Sequence, residues 1–233
     1  MNKNGSAITM SKALKLYNGR SMGEMMLKTS LFSIGSYAAT LLLFVLLGSV
    51  SSGGFEAARN DIGESMVSDS ILVIDTAMIN LILSQLTFEK HMPGGKLFRT
   101  VNGGFDTYRK ASSAVCISRI VNIAVTAATA GLLHISGIME LKYGMASVIT
   151  AIIFLVLAIG ICNLISMIFN STLSVFLSTA VFSVIGITAI IILRENGGRL
   201  GAVQLITAAA AAVLVPVSQI MLMKVYKEKR WKS

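Results

Sequence analysis

Charge is what this chain has least of. Of its 233 residues only 13% are Asp, Glu, Lys or Arg, about half of the roughly 25% that a soluble domain spreads over its surface. Meanwhile 54% are hydrophobic and the mean hydropathy is +0.75. The shortage excludes a water-covered globular fold and leaves an integral membrane protein. Proline occurs twice beside 20 glycines, which excludes collagen-like and proline-rich disordered chains. Two cysteines cannot staple a small secreted domain. The formal charge of +9 does not imply nucleic acid, because the basic residues lie in short segments between apolar runs and not on one folded face.

Catalytic signatures are missing too. The nearest string to a phosphate-cradling GxxxxGK[ST] loop, Pro93-Gly94-Gly95-Lys96-Leu97, lacks the first glycine and the hydroxyl that would hold magnesium. ATP hydrolysis by this chain is therefore not expected. His91 and His134 have no His or Glu at ligand spacing and fall at opposite ends of the apolar region, which argues against a metal site. Glu56-Ala57-Ala58-Arg59 followed by Asp61, Asp69 and Asp75 has the outline of a membrane phosphatidyltransferase signature. The preceding aspartates are absent and Phe55 stands where the motif glycine belongs, so that enzyme is rejected. Met1 to Lys28 has no apolar core followed by a cleavage-type site, so no cleavable signal is expected.

What is present is apolar length. A bilayer core about 30 Å thick needs about 20 apolar residues in a helix, and six stretches qualify: about Thr29 to Val50, Ser70 to Phe88, Ala111 to Leu133, two within the charge-free run Tyr143 to Leu193, and Leu200 to Met223. Phe169-Asn170-Ser171-Thr172 is the expected turn inside the long run, and Pro216 lies inside the last span. The predicted fold is all-α and polytopic, with six transmembrane helices over 29–223. Before them, 1–28 is a cytoplasmic segment in which Ser11 to Lys28 forms an interfacial helix, with Leu14, Tyr17 and Met25 at helical spacing. A basic cytoplasmic tail, 224–233, follows.

Lys and Arg number fifteen in the N-terminal segment, the loop after span two and the tail. The other ends of the spans carry only Arg59, Lys142, Arg194 and Arg199. By the positive-inside rule both termini are cytoplasmic, in a multi-pass protein of the cell (inner) membrane.

Within the spans, Arg119 is the most costly residue, and an intramembrane ion is by default a functional hypothesis. It shares a polar stripe with Cys116, Asn122, Thr126 and Thr129, while Asp75 heads a second stripe with Thr76, Asn80, Ser84 and Thr87. Two readings stay open. Asp75, Asn80, Arg119, Asn122 and Thr126 line a route for substrate, or Arg119 snorkels to the inner headgroups while the small polar residues hold helices together. Cys116 and Cys162 read as buried reduced thiols. The loop 89–110 offers Phe98, Phe105 and Tyr108 with Arg99 around the turn Gly103-Gly104. Aromatics among Arg suit a partner's groove and equally suit the membrane interface.

The order of these parts resembles a type-2 ABC transporter permease of the small bacterial six-span kind. It has the N-terminal interfacial helix, six spans, a long first inner loop containing FRTVNGGFDTYRK, a short inner turn at Asn170 and an outer segment before span six. The resemblance implies no catalytic residue and no cofactor in this chain, with ATP and Mg bound by a separate pair of ABC ATPase subunits. It also implies a second permease subunit, identical or different, in a shared bilayer. Phe98, Arg99, Gly103, Gly104, Phe105 and Tyr108 would then belong to the element that couples to the ATPase. The expected function is alternating-access export, and the small size points toward peptides or antimicrobials as cargo. A non-transporting membrane sensor or assembly subunit is the first rival. A membrane-embedded enzyme is the second, and would need convergent titratable groups at one depth.

Overall fold

The computed structural model describes residues 8–64, 67–85, 100, 103–169 and 172–229. Among them every regular element is helical: α1 Met10–Asn18, α2 Met22–Ser52, α3 Phe55–Glu64, α4 Val67–Gln85, α5 Gly104–Ile135, α6 Met145–Ile168, α7 Thr172–Glu195 and α8 Ala202–Lys229. Five of these, α2, α5, α6, α7 and α8, are long and apolar enough to cross a membrane. The chain is thus an all-helical protein of membrane type.

The expected helix over Ser11 to Lys28 divides in two. Gly19 adopts φ +80° and gives its N–H to the Lys15 carbonyl, ending α1; only glycine takes that left-handed conformation without strain. Ser21 then opens α2 with a reciprocal capping box, its Oγ accepting from Glu24 N at 3.2 Å and Glu24 Oε2 accepting from Ser21 N at 2.8 Å. Met22 to Lys28 are therefore the first turns of α2. The apolar face of α1, Ala13, Leu14 and Tyr17, is fully covered in a cluster with Tyr108, Ala111 and Val115 of α5 and Met223 and Tyr226 of α8, so that face meets protein and not lipid.

Side-chain hydrogen bonds give the helix directions. On α2 and α5, Asn122 Nδ2 donates to the Thr29 carbonyl at 3.1 Å, and one turn further along both helices the hydroxyls of Ser33 and Thr126 meet. Both pairs are 93 positions apart; a constant separation means that the helices run parallel and in register. On α6 and α8, Gly160 faces Leu214 and Asn163 Nδ2 reaches Ser218 Oγ at 3.2 Å, again a parallel pair. Between α6 and α7 the opposite holds. Cys162 meets the Ser178 carbonyl at separation 16 and Ser166 meets Ser174 at separation 8, so each step along α6 is a step back along α7. Of the turn expected at Phe169 to Thr172, Asn170 and Ser171 lie outside the described residues.

Tyr17, Tyr108 and Tyr226 stand together, so α1, the start of α5 and the end of α8 share one end of the bundle. At the other end, Lys142 between α5 and α6 ties the α3–α4 junction: its N–H reaches Asp69 Oδ2 at 3.3 Å and its Nζ the Glu64 carbonyl at 2.5 Å. Val73 of α4 presses on Gly186 of α7, where an added methyl would overlap its side chain. Gly186→Ala should therefore lower stability by about 1–3 kcal/mol, as overpacking does, and Val73→Ala placed on top of it should restore part of the loss. Thermal unfolding of the purified variants in detergent checks this, and a destabilisation unchanged by the second substitution would refute the close approach.

Candidate functional site

Two groups of side chains hold the chemistry predicted from the sequence, one in the middle of the bundle and one at its α1 end. In the middle, α2 gathers partners from two helices. Thr29 and Ser33 receive Asn122 and Thr126 of α5, and Ser36 Oγ donates to Asp75 Oδ1 of α4 at 2.5 Å. Asn122 and Thr126 are wholly buried and Asp75 nearly so. Within one chain Asn122, Thr126 and Asp75 are enclosed between helices. Their placement is what packing through small polar groups requires in an apolar medium. Asn80 lies on α4, but its side chain is outside the described residues.

Arg119 sits on the same stripe and turns the other way. It is 4% exposed, near the middle of α5, with its guanidinium carbon 5.6 Å from the Phe182 ring centroid on α7 and the Cys162 thiol of α6 within its hydrogen-bonding environment. A snorkelling side chain would carry its head to an aqueous edge; this one is held across the bundle by a ring face. Cys116 and Cys162 are free and buried, and Cys116 faces Asn163. Thus α5 joins α2 through hydroxyls and an amide, and the α6–α7 hairpin through its arginine. Asp75 and Arg119 face different neighbours and form no ion pair.

At the α1 end, the expected loop 89–110 is helical in its last seven positions. Gly103 at φ +77° starts α5, its carbonyl accepting from Asp106 N at 3.1 Å and Thr107 N at 3.2 Å, and Gly104 is already inside the helix. Phe98 and Arg99 lie outside the described residues. Tyr108 is 4% exposed, stacked on Tyr226 at 4.6 Å between ring centres and edge-on to Tyr17 at 5.5 Å. Its ring is committed inside the chain. Phe105 is half-buried one turn earlier, with Lys227 Nζ 5.4 Å from its ring centre, and the exposed pair Asp106 and Arg109 lies beside it at 3.3 Å. Beside the start of α5, Phe105, Asp106, Arg109 and Lys227 form an accessible face.

Sequence reasoning missed the role of Tyr226 and of Tyr17 as partners of Tyr108; the only available signal was three tyrosines, each next to a basic segment. It also missed the pairing of Ser33 and Ser36 with Thr126 and Asp75. The steps from Thr29 to Ser33 and Ser36 on α2 follow helical spacing like the α5 stripe, but three helices had to be aligned for it to count.

No family model, no curated protein and no solved structure matches this chain.

The stacked tyrosines predict a measurable coupling. Tyr108→Leu and Tyr226→Leu should each destabilise the bundle, and a double-mutant cycle should return an interaction of about 0.5–1.5 kcal/mol, the value of an aromatic pair beyond its buried area. Additive losses would show that the two ends of the chain are not joined there.

Proposed function

We propose that this chain is the membrane-spanning permease subunit of an ATP-driven ABC exporter, with six crossings and both termini in the cytoplasm. The observation that carries the reading is the arrangement of helix directions. Because α2 and α5 are parallel, the chain must return between them, and α4 is the helix available to do so. Tyr17 and Tyr226 both pack on Tyr108 at one end, which supports an even number of crossings. Both arguments support α4 as a sixth crossing beside the five apolar helices, despite Asp69 and Asp75. The α1 end carries Lys12, Lys15, Arg20, Lys110, Lys224 and Lys227, which supports a cytoplasmic placement by the positive-inside rule.

On that reading a separate ATPase pair docks on the face made by Phe105, Asp106, Arg109 and Lys227. The lipid-facing sides of α2, α7 and α8, rich in exposed Leu, Ile and Val, leave room for a second permease. The sealed polar interior of one chain agrees with a route that forms between two subunits. The sealed interior also suits a non-transporting membrane subunit, and ATPase binding separates the two.

Two experiments test this. Single cysteines at exposed positions, Lys12→Cys and Glu228→Cys at one end and Asn60→Cys and Asn196→Cys at the other, should label with an impermeant maleimide from opposite sides, against a low background from the buried Cys116 and Cys162. Lys12→Cys and Glu228→Cys labelling from different sides would remove the even count. The chain should also co-purify from native membranes with an ATPase subunit. Phe105→Asp should release that subunit while leaving the protein inserted, since loss of a buried aromatic anchor at a hot spot costs at least about 2 kcal/mol. An ATPase retained normally by Phe105→Asp would argue against this face as the coupling element.

A further inference from the structure

At the end of the bundle opposite the tyrosines, Asp69 stands one residue before the apolar stretch that begins at Ser70 and faces a small cavity between α4, α6 and α7. It is 2% exposed. Its Oδ2 accepts the Lys142 N–H at 3.3 Å, and the Ser147 hydroxyl of α6 lies within its hydrogen-bonding environment. Thr150, three residues along α6 and equally buried, lines the same cavity. The rest of the wall is apolar, with Leu72 and Val73 of α4 and Ala189 and Leu193 of α7. An acidic side chain is thus enclosed with one N–H and two hydroxyls in an otherwise apolar site.

Either form of the acid can use the hydroxyls, which donate to a carboxylate or accept from a carboxyl O–H, so charge decides. A buried carboxylate without a cationic partner is costly, and such a group takes up a proton instead. The Lys142 ammonium is turned to the Glu64 carbonyl. His134, at the end of α5, uses Nδ1 to accept the Leu141 N–H, a role that the protonated ring cannot fill. Tyr37 of α2 adds a phenol, α6 only hydroxyls and α7 only apolar side chains. Arg194, which follows the lining residue Leu193, is exposed, and the next acid on α4, Asp75, is bonded to Ser36. Burial outweighs the Ser147 and Lys142 hydrogen bonds and holds the Asp69 carboxyl above the ordinary carboxylate range. We propose that Asp69 is a proton-binding site, its carbonyl oxygen accepting from Lys142 and its O–H donating to Ser147 or Thr150, and that release of this proton to water loosens α4 from α6 at this end of the bundle. The site is independent of the transporter reading.

A proton held more tightly in the folded than in the unfolded chain contributes stability that is whole below the ordinary carboxylate value of about 4 and is lost as pH rises. Unfolding of the full-length protein by SDS in mixed micelles, from about pH 5 to about pH 9, covers the values documented for buried carboxyls. The comparison is Asp69→Asn, which keeps the shape and a neutral donor and acceptor. As pH rises, the unfolding constant of the wild type should grow relative to that of Asp69→Asn, by up to about tenfold per pH unit, the limit for one proton. At the acid end of the window the infrared band of protonated carboxyls should lose one component in Asp69→Asn. Parallel pH curves for the two proteins, or a band unchanged by the substitution, would overturn the proposal. Should Asp69→Asn fail to fold, the same band is compared in Ser147→Ala and Thr150→Val, one of which removes the acceptor of the O–H and should move the Asp69 component to higher wavenumber. A component unmoved in both would overturn the proposal equally.

Discussion

In an apolar solvent a polar side chain has only other parts of the protein to bond with, and an unmet group costs more there than in water. The contact between α2, α4 and α5 follows from that constraint. Thr29 with Asn122, Ser33 with Thr126 and Ser36 with Asp75 are successive turns of α2 meeting two neighbours. Sliding α5 by one turn would separate both of its pairs at once. Hydrophobic faces alone could not set this register, because leucine against leucine packs nearly as well one turn away, and lipid tails are as apolar as leucine. The parallel course of α2 and α5 rests on these few polar contacts.

The other half of the bundle is set by size. Gly160 lets Leu214 of α8 approach α6, and Gly186 lets Val73 of α4 approach α7, so backbones close in where side chains vanish. Asn163 adds direction by reaching Ser218 at 3.2 Å and Gln219 at 3.3 Å. Arg119 stands where the halves meet, on α5 but over Phe182 of α7 and near Cys162 of α6. A movement of the α6–α7–α8 group against α2 and α5 would have to carry or break that contact. Arg119 is thus one of the contacts, with Gln219 on Ser112 and Tyr226 on Tyr108, that join α5 to the α6–α7–α8 group.

Much of this was legible beforehand, because membrane spans are written in a one-dimensional code. The five apolar helices each contain one of the apolar runs, and a break near Asn170 is expected of a run too long for one helix. The ends of helices were less legible. Gly19 breaks the expected N-terminal helix because the Ser21–Glu24 capping box competes for the same stretch. Likewise α5 begins at Gly104, seven residues before the apolar run, because a helix leaving the membrane continues wherever its polar turns can pack, here against α1 and α8. Asp69 read as one of several outer acids, and its shared cavity with Ser147 and Thr150 was invisible because those residues are distant in sequence and meet only once α4 lies against α6. The tyrosine cluster was hidden for the same reason.

The claim on which the architecture depends is the parallel register of α2 and α5, and disulfide trapping in native membranes tests it most directly. In a chain carrying Cys116→Ala and Cys162→Ala, the pair Ser33→Cys and Thr126→Cys should cross-link rapidly on mild oxidation. Moving the second cysteine one turn along α5, to Thr129 or Asn122, should slow the reaction sharply. Cross-linking that is absent for the Ser33 and Thr126 pair, or equally fast at all three positions of α5, would contradict the register and the path of α4 that follows from it.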